Sequence, residues 1–127
     1  MNDRSQAADG DAPALTPAAF HILLALADEE RHGYGIMLEV AQRTQGAVRL
    51  NSGTLYRSIK QLLAAGLIAE SAERPDPALD DERRRYYRLT AAGRAAAEVE
   101  ATRLERLVGL ARDKHLLRPA AIEGGRT

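Results

Sequence analysis

The hydrophobic period of the chain changes at Gly66, and that change limits the fold more than any other feature. Upstream, apolar residues recur at helical spacing: Ala19, Ile22, Leu23 and Leu26, then Ile36, Met37, Val40 and Ala41, then Leu55, Ile59 and Leu62. Downstream, "LIAES" and "YYRL" read as short strands around "AERPDPALDDERRR", whose prolines and charges no core would accept. From Thr90 the helical period resumes, with Leu104, Leu107, Val108 and Ala111 in one stripe. The predicted order is helix, helix, helix, hairpin, long helix.

A two-stranded hairpin is marginal alone and needs a helical layer to pack on. The expected fold is therefore mostly α with a small β-hairpin (α+β): a winged helix-turn-helix followed by a long C-terminal helix. The composition agrees, since 127 residues make about one domain, and a 4% aromatic share without Trp leaves Leu, Ile, Val and Ala to build a helix-on-helix core. Boundaries follow from capping chemistry. Thr16 before Pro17 starts the first helix, which ends near "ADEERHG"; Gly46 closes the second; Asn51 or Ser52 caps the third, which runs to about Ala65 and stops at Gly66; Thr90 caps the last. Residues 1–14 read as a disordered leader, 15–90 as the winged helix-turn-helix domain, 91–115 as the C-terminal helix and 116–127 as a flexible tail.

Several function classes are disfavoured. With no Cys there is no disulfide scaffold, thiolate metal site or Cys nucleophile. No Gly-rich phosphate loop, "HExxH" or nucleophile motif is present, and His21, His32 and His115 are dispersed, so neither an enzyme, a metal site nor a cofactor is expected. The longest apolar run, around "AAFHILLALA", is broken by His21 and falls short of the roughly 20 residues a membrane span requires. A soluble, cytoplasmic protein without membrane contact is the expectation.

Net charge is zero, but its distribution is uneven. From Val40 to Ala69 the charged residues are Arg43, Arg49, Arg57 and Lys60, with no Asp or Glu among them. On the third helix, Leu55, Ile59 and Leu62 share one face, while Gly53, Thr54, Arg57, Lys60 and Gln61 lie opposite and Tyr56 on the flank. Arg pairs bidentately with guanine, Gln with adenine, and Lys, Thr and Tyr donate to phosphate. Ser52 and Gly53 let the free amides at the helix start approach a phosphate. "RRR" at Arg83–Arg85 on the hairpin is placed to follow the DNA backbone or minor groove, although the preceding "DDE" would neutralise it on a solvated loop.

"HGYGI" at His32–Ile36, "SGTLYRSIKQLLAAGLI" at Ser52–Ile68 and "RRRYYRLTAAGRAA" at Arg83–Ala96 together resemble the PadR family of bacterial transcriptional regulators. The resemblance spans about Leu15 to Ala111 and implies a homodimeric repressor, binding double-stranded operator DNA through the 52–65 helix and the 74–85 wing. Carried over, Thr54 and Tyr56 become phosphate contacts and Leu55 a core residue. His32 and Tyr34 lie near the start of the second helix, where Tyr34 touches backbone or packs on the third helix. His32, Tyr34, Arg49, Arg84 and Arg85 join Ser52, Gly53, Arg57, Lys60 and Gln61 in the expected DNA set. One of Tyr86 and Tyr87 should point inward.

The single last helix matches the short class of the family, some of whose members resemble drug sensors that stack flat aromatics between tryptophans. Here Gly93 to Thr127 contains no Phe, Tyr or Trp, so a small-molecule effector, if used, is of another kind. A helix of roughly 36 Å is longer than a small domain is wide, so Leu104, Leu107, Val108 and Ala111 are expected to dimerise it. Two third helices about 34 Å apart would then read an inverted repeat. The competing reading is a protein interaction module on the same scaffold, without sequence-specific DNA binding.

Overall fold

The computed structural model describes residues 15–71 and 85–118. Its elements are α1 (Pro17–Leu26), β1 (Arg31–His32), α2 (Gly33–Arg43), α3 (Ser52–Ala64), β2 (Ile68–Ser71), β3 (Tyr86–Leu89) and α4 (Ala91–Asp113). The expected leader over 1–14, the wing tip over 72–84 with Arg83 and Arg84, and the end of the tail over 119–127 lie outside the described residues. Among the described residues no helix is long and apolar enough to cross a membrane.

The mostly helical winged fold is as expected, with one addition. The sheet has three antiparallel strands in the order β1-β3-β2, so the hairpin strand β3 lies in the middle. Ile68 pairs with Leu89 and Ser71 with Tyr86 on one side, while Arg31 pairs with Tyr87 and His32 with Tyr86 on the other. Helix α1 ends at Leu26 with Ala27 as its C-cap, at the start of the segment expected to close it. A strand of two residues shows no alternation; it forms because the open edge of β3 offers backbone partners.

Each helix starts on a side-chain cap. Thr16 Oγ1 accepts from the Ala19 N–H at 3.0 Å, and Asn51 Oδ1, not Ser52, accepts from the Thr54 N–H at 2.8 Å. At the other end of α3, Gly66 takes φ +77°, and the N–H groups of Gly66 and Leu67 return to the carbonyls of Leu63 and Leu62 at 3.0 Å. The end of α2 is built the same way but one residue earlier than expected. Gln45, at φ 50°, occupies the left-handed cap position, and Gly46 follows it at φ +82°.

The core is the joint interior of the helices and one sheet face. Ile22, Leu23, Ile36, Leu55 and Ile68 are fully buried, with Leu26, Val40, Ile59, Leu62 and Tyr87 close behind. Each such aliphatic side chain contributes about 1.5–3 kcal/mol by leaving water. Helix α1 is the hub, touching α2, α3, α4 and β3. Tyr87 points inward and Tyr86 is half-buried, as alternation requires.

Helix α4 is about 34 Å long at 1.5 Å per residue. Gly93, Ala97, Glu100, Leu104, Leu107, Val108 and Ala111 share one face of it. Over its first half that face is turned to the domain: Gly93 and Glu100 are buried and Ala97 packs against the core. Over its second half the same face is open, with Leu107 48% and Val108 43% exposed.

Candidate nucleic-acid interface

The packing of α3 decides what it can present. Leu55, Ile59 and Leu62 are locked in the core, which leaves Gly53, Arg57, Lys60 and Gln61 exposed at i, i+4, i+7 and i+8 along the outer face. Among the described residues neither Arg57 nor Lys60 takes part in an ion pair. Ser52 is exposed at the amino end, and Thr54 is half-buried beside it. The Asn51 cap leaves the first turn with further amides directed outward, and the helix dipole favours an anion there.

Tyr56 sits on the flank, half-buried, with its hydroxyl over Gly33 at the start of α2. A methyl group on Gly33 would collide with that hydroxyl and lie 2.8 Å from the ring carbon bearing it. Tyr34, by contrast, is about half exposed, so it is Tyr56 that fills the seam between the two helices.

His32 already has a structural task. Its Nδ1 accepts the Gly35 N–H at 2.9 Å and so caps α2, and its ring meets Tyr86 edge-on at 5.3 Å between centroids. With Nδ1 accepting, the proton of the neutral ring is on Nε2, the only atom left to donate to a phosphate. Arg49 is exposed in the turn before α3, with its guanidinium over Gly46. That turn is set by Thr44, whose hydroxyl donates to the Val40 carbonyl at 2.8 Å and accepts from the Val48 N–H at 3.0 Å. Arg85 is exposed at the start of β3, and Arg84 lies outside the described residues. The structure thus brings Ser52, Gly53, Thr54, Tyr56, Arg57, Lys60 and Gln61 together on one helix, with Arg49 just before it.

Three contributions were not read from the sequence. Gly33 and Gly93 are needed for close approaches from other elements. Arg31 ties three elements together: its Nε donates to the Ala25 carbonyl of α1 at 2.7 Å, and its guanidinium pairs with Asp28, Glu29 and Glu39. Glu39 also binds Arg43 at 2.7 Å, which holds the Arg43 guanidinium above its ordinary range. Arg43, though basic in the sequence count, is thereby engaged with a carboxylate of its own helix.

A three-helix unit with a small sheet, a basic outer face on the third helix and a long last helix define a winged-helix protein with an added C-terminal helix. The family model described as the transcriptional regulator PadR-like family matches residues 22–99. The chain belongs to the PadR family of transcriptional regulators. It is 39% identical over 87 residues to the transcriptional regulator Rv3488 of Mycobacterium tuberculosis, covering 68% of this chain and 75% of that one. A PadR family transcription regulator of Clostridium difficile shares the fold at TM-score 0.63 and 21% identity, over 77% of this chain and 97% of that one. Lactococcus lactis ZitR, as a single-site mutant in complex with DNA, aligns at TM-score 0.52 and 23% identity over 78% of this chain and 59% of that one. Both of the latter likenesses are of fold.

Proposed function

We propose that this PadR-family regulator is a homodimeric repressor that binds a palindromic operator through α3. The observation that carries the reading is the exposed, acid-free face of Gly53, Arg57, Lys60 and Gln61 on a helix anchored in the core by its other face. Arg57 and Gln61 face base edges, Lys60, Thr54 and Tyr56 face phosphates, and the amides at Ser52 and Gly53 receive one phosphate oxygen. Arg49, Tyr34, Arg85 and the Nε2 of His32 flank this set along the backbone, and the wing follows the adjacent groove.

The open half of the α4 face supports the dimer, because Leu104, Leu107, Val108 and Ala111 continue a stripe whose first half is already packed. Release by a small-molecule effector is part of the same reading. An open cleft of about 470 Å³ between α1 and α2, lined by Leu24, Ala25, Ala27 and Val40 together with the polar His21, Asp28, Glu39, Arg43 and Thr44, gives such a ligand room.

The test is a gel-shift titration against the DNA upstream of the protein's own coding region, at two salt concentrations, with shuffled DNA as control. Selective binding that weakens with salt is expected. A folded dimer that binds neither DNA would move the interaction-module reading to first place.

A further inference from the structure

The "LTAAG" segment, Leu89–Gly93, has no part in the DNA contacts just described, yet it meets the end of the helix that makes them. Thr90 Oγ1 accepts the Gly93 N–H at 3.0 Å, capping α4, and donates to the Gly66 carbonyl at 2.8 Å. The Thr90 N–H donates to the Leu67 carbonyl at 3.1 Å. Gly66 and Leu67 are the two residues whose own N–H groups close α3. The amino end of α4 is therefore bonded directly to the carboxyl end of α3, through backbone and one hydroxyl.

Gly93 makes this approach possible. A Cβ there would collide with the Leu67 carbonyl oxygen, and would lie 2.9 Å from its carbon and 2.8 Å from Leu89 Cδ1, where ordinary contact begins at 3.4 Å. The carbonyl is main chain, held by the Thr90 N–H and continuous with β2, so it does not swing aside as the end of a flexible side chain would.

We propose that Thr90 and Gly93 are positioning residues that fix the angle between α3 and α4, and with it the spacing between the two operator half-sites. This rests on the dimeric operator reading above. The leverage is large. Leu107 lies 14 residues beyond Gly93, roughly 21 Å along the helix. A rotation of about 10° at the junction displaces that point by roughly 4 Å, slightly more than the ~3.4 Å rise of one base pair. A change of angle too small to disturb either helix is thus enough to move the half-sites relative to each other by a distance of base-pair size.

The experiment selects binding sites from a pool of random duplex DNA with the wild type, Gly93→Ala, Thr90→Val and Thr90→Ser, each first checked for helicity and for dimer mass by sedimentation. Sequencing then gives the half-site bases and their centre-to-centre spacing separately. Gly93→Ala and Thr90→Val are expected to recover the wild-type half-site at a shifted or broadened spacing. Each should bind the wild-type spacing about ten-fold or more weakly, as for one mismatched base pair. Thr90→Ser, which keeps the hydroxyl, should keep the wild-type spacing. Unchanged spacing in folded, dimeric Thr90→Val overturns the inference even if affinity falls, because a purely structural role weakens binding without moving the half-sites. Should Gly93→Ala fail to fold, Thr90→Val and Thr90→Ser decide alone. A wild type that selects no paired half-sites refutes the operator reading itself, and the inference falls with it before any variant is considered.

Discussion

The hydroxyl of Tyr56 lies over the bare Cα of Gly33, so that α3 and α2 approach at a point where any side chain on α2 would collide with the ring. Overpacking of this kind costs about 1–3 kcal/mol. Gly33→Ala is therefore expected to lower the melting temperature, and Gly33→Ala combined with Tyr56→Ala to be more stable than the sum of the single changes predicts. Simple additivity in thermal denaturation would show that the contact exerts no pressure.

Arg57 and Lys60 stand on the same exposed face and are predicted to fail differently. Arg57→Ala should cost about 1–3 kcal/mol of operator affinity and relax sequence preference at one position. Lys60→Ala should weaken all sequences alike and reduce the slope of log affinity against log salt by about 1. Fluorescence anisotropy on operator and scrambled duplexes over a salt series separates the two patterns. Identical effects on both duplexes from Arg57→Ala would remove it from base reading.

Asn51 allows stability and DNA binding to be separated. Its Oδ1 caps α3 through the Thr54 N–H, so Asn51→Ala should destabilise by about 1 kcal/mol. Asn51→Asp preserves the cap but adds a negative charge where a phosphate is expected. It should melt like the wild type and bind DNA more weakly, most of all at low salt. Undiminished binding by Asn51→Asp would mean that no phosphate approaches this helix start.

Leu107 is half exposed on the open part of the α4 face. Leu107→Glu is expected to yield folded monomers with wild-type helicity and to abolish operator binding. Sedimentation equilibrium checks the mass, and an unchanged dimer would take this face out of the interface.

Glu100 carries an acid-sensitive contribution to stability. Its carboxylate accepts from Arg103 Nε at 3.1 Å and from Arg103 Nη2, which holds it below its ordinary 4.5 although burial pulls it upward. A carboxylate whose folded pKa lies below its unfolded value stabilises the fold above the unfolded pKa. That contribution disappears as pH falls through the folded one. Glu100→Gln should therefore be less stable than the wild type near neutral pH and lose less stability below about pH 4.5. Melting curves at successive pH values test this; parallel losses for the two proteins would exclude Glu100 as the cause.

The features legible in the sequence are those whose chemistry is local. Thr16, Asn51 and Thr90 cap the residues that follow them, Gly66 takes the left-handed turn its position demands, and the apolar rows of α1 and α3 define their own buried faces. What escaped depends on approach from a distance. Arg31 and His32 become a strand only because β3 comes alongside, and Gly33 and Gly93 are required by Tyr56 and by the Leu67 carbonyl rather than by their own helices. Gln45, not Gly46, holds the left-handed cap of α2, because the position of the last helical turn sets which residue must reverse. The basic face was visible as a charge pattern, whereas the pairing of Arg43 with Glu39 needed the fold.

The single face of α4, packed against its own domain at Gly93, Ala97 and Glu100 and open at Leu107 and Val108, restricts how this gene can change length. One codon inserted between Glu100 and Leu104 would turn the projecting half through about 100° relative to the domain, taking Leu104, Leu107 and Val108 off the face that Gly93, Ala97 and Glu100 begin while leaving both halves helical. Seven codons would return it to within about 20°. If the proposed dimer uses this face, substitutions can accumulate along the helix one at a time, whereas insertions and deletions keep the face continuous only in steps that restore the register.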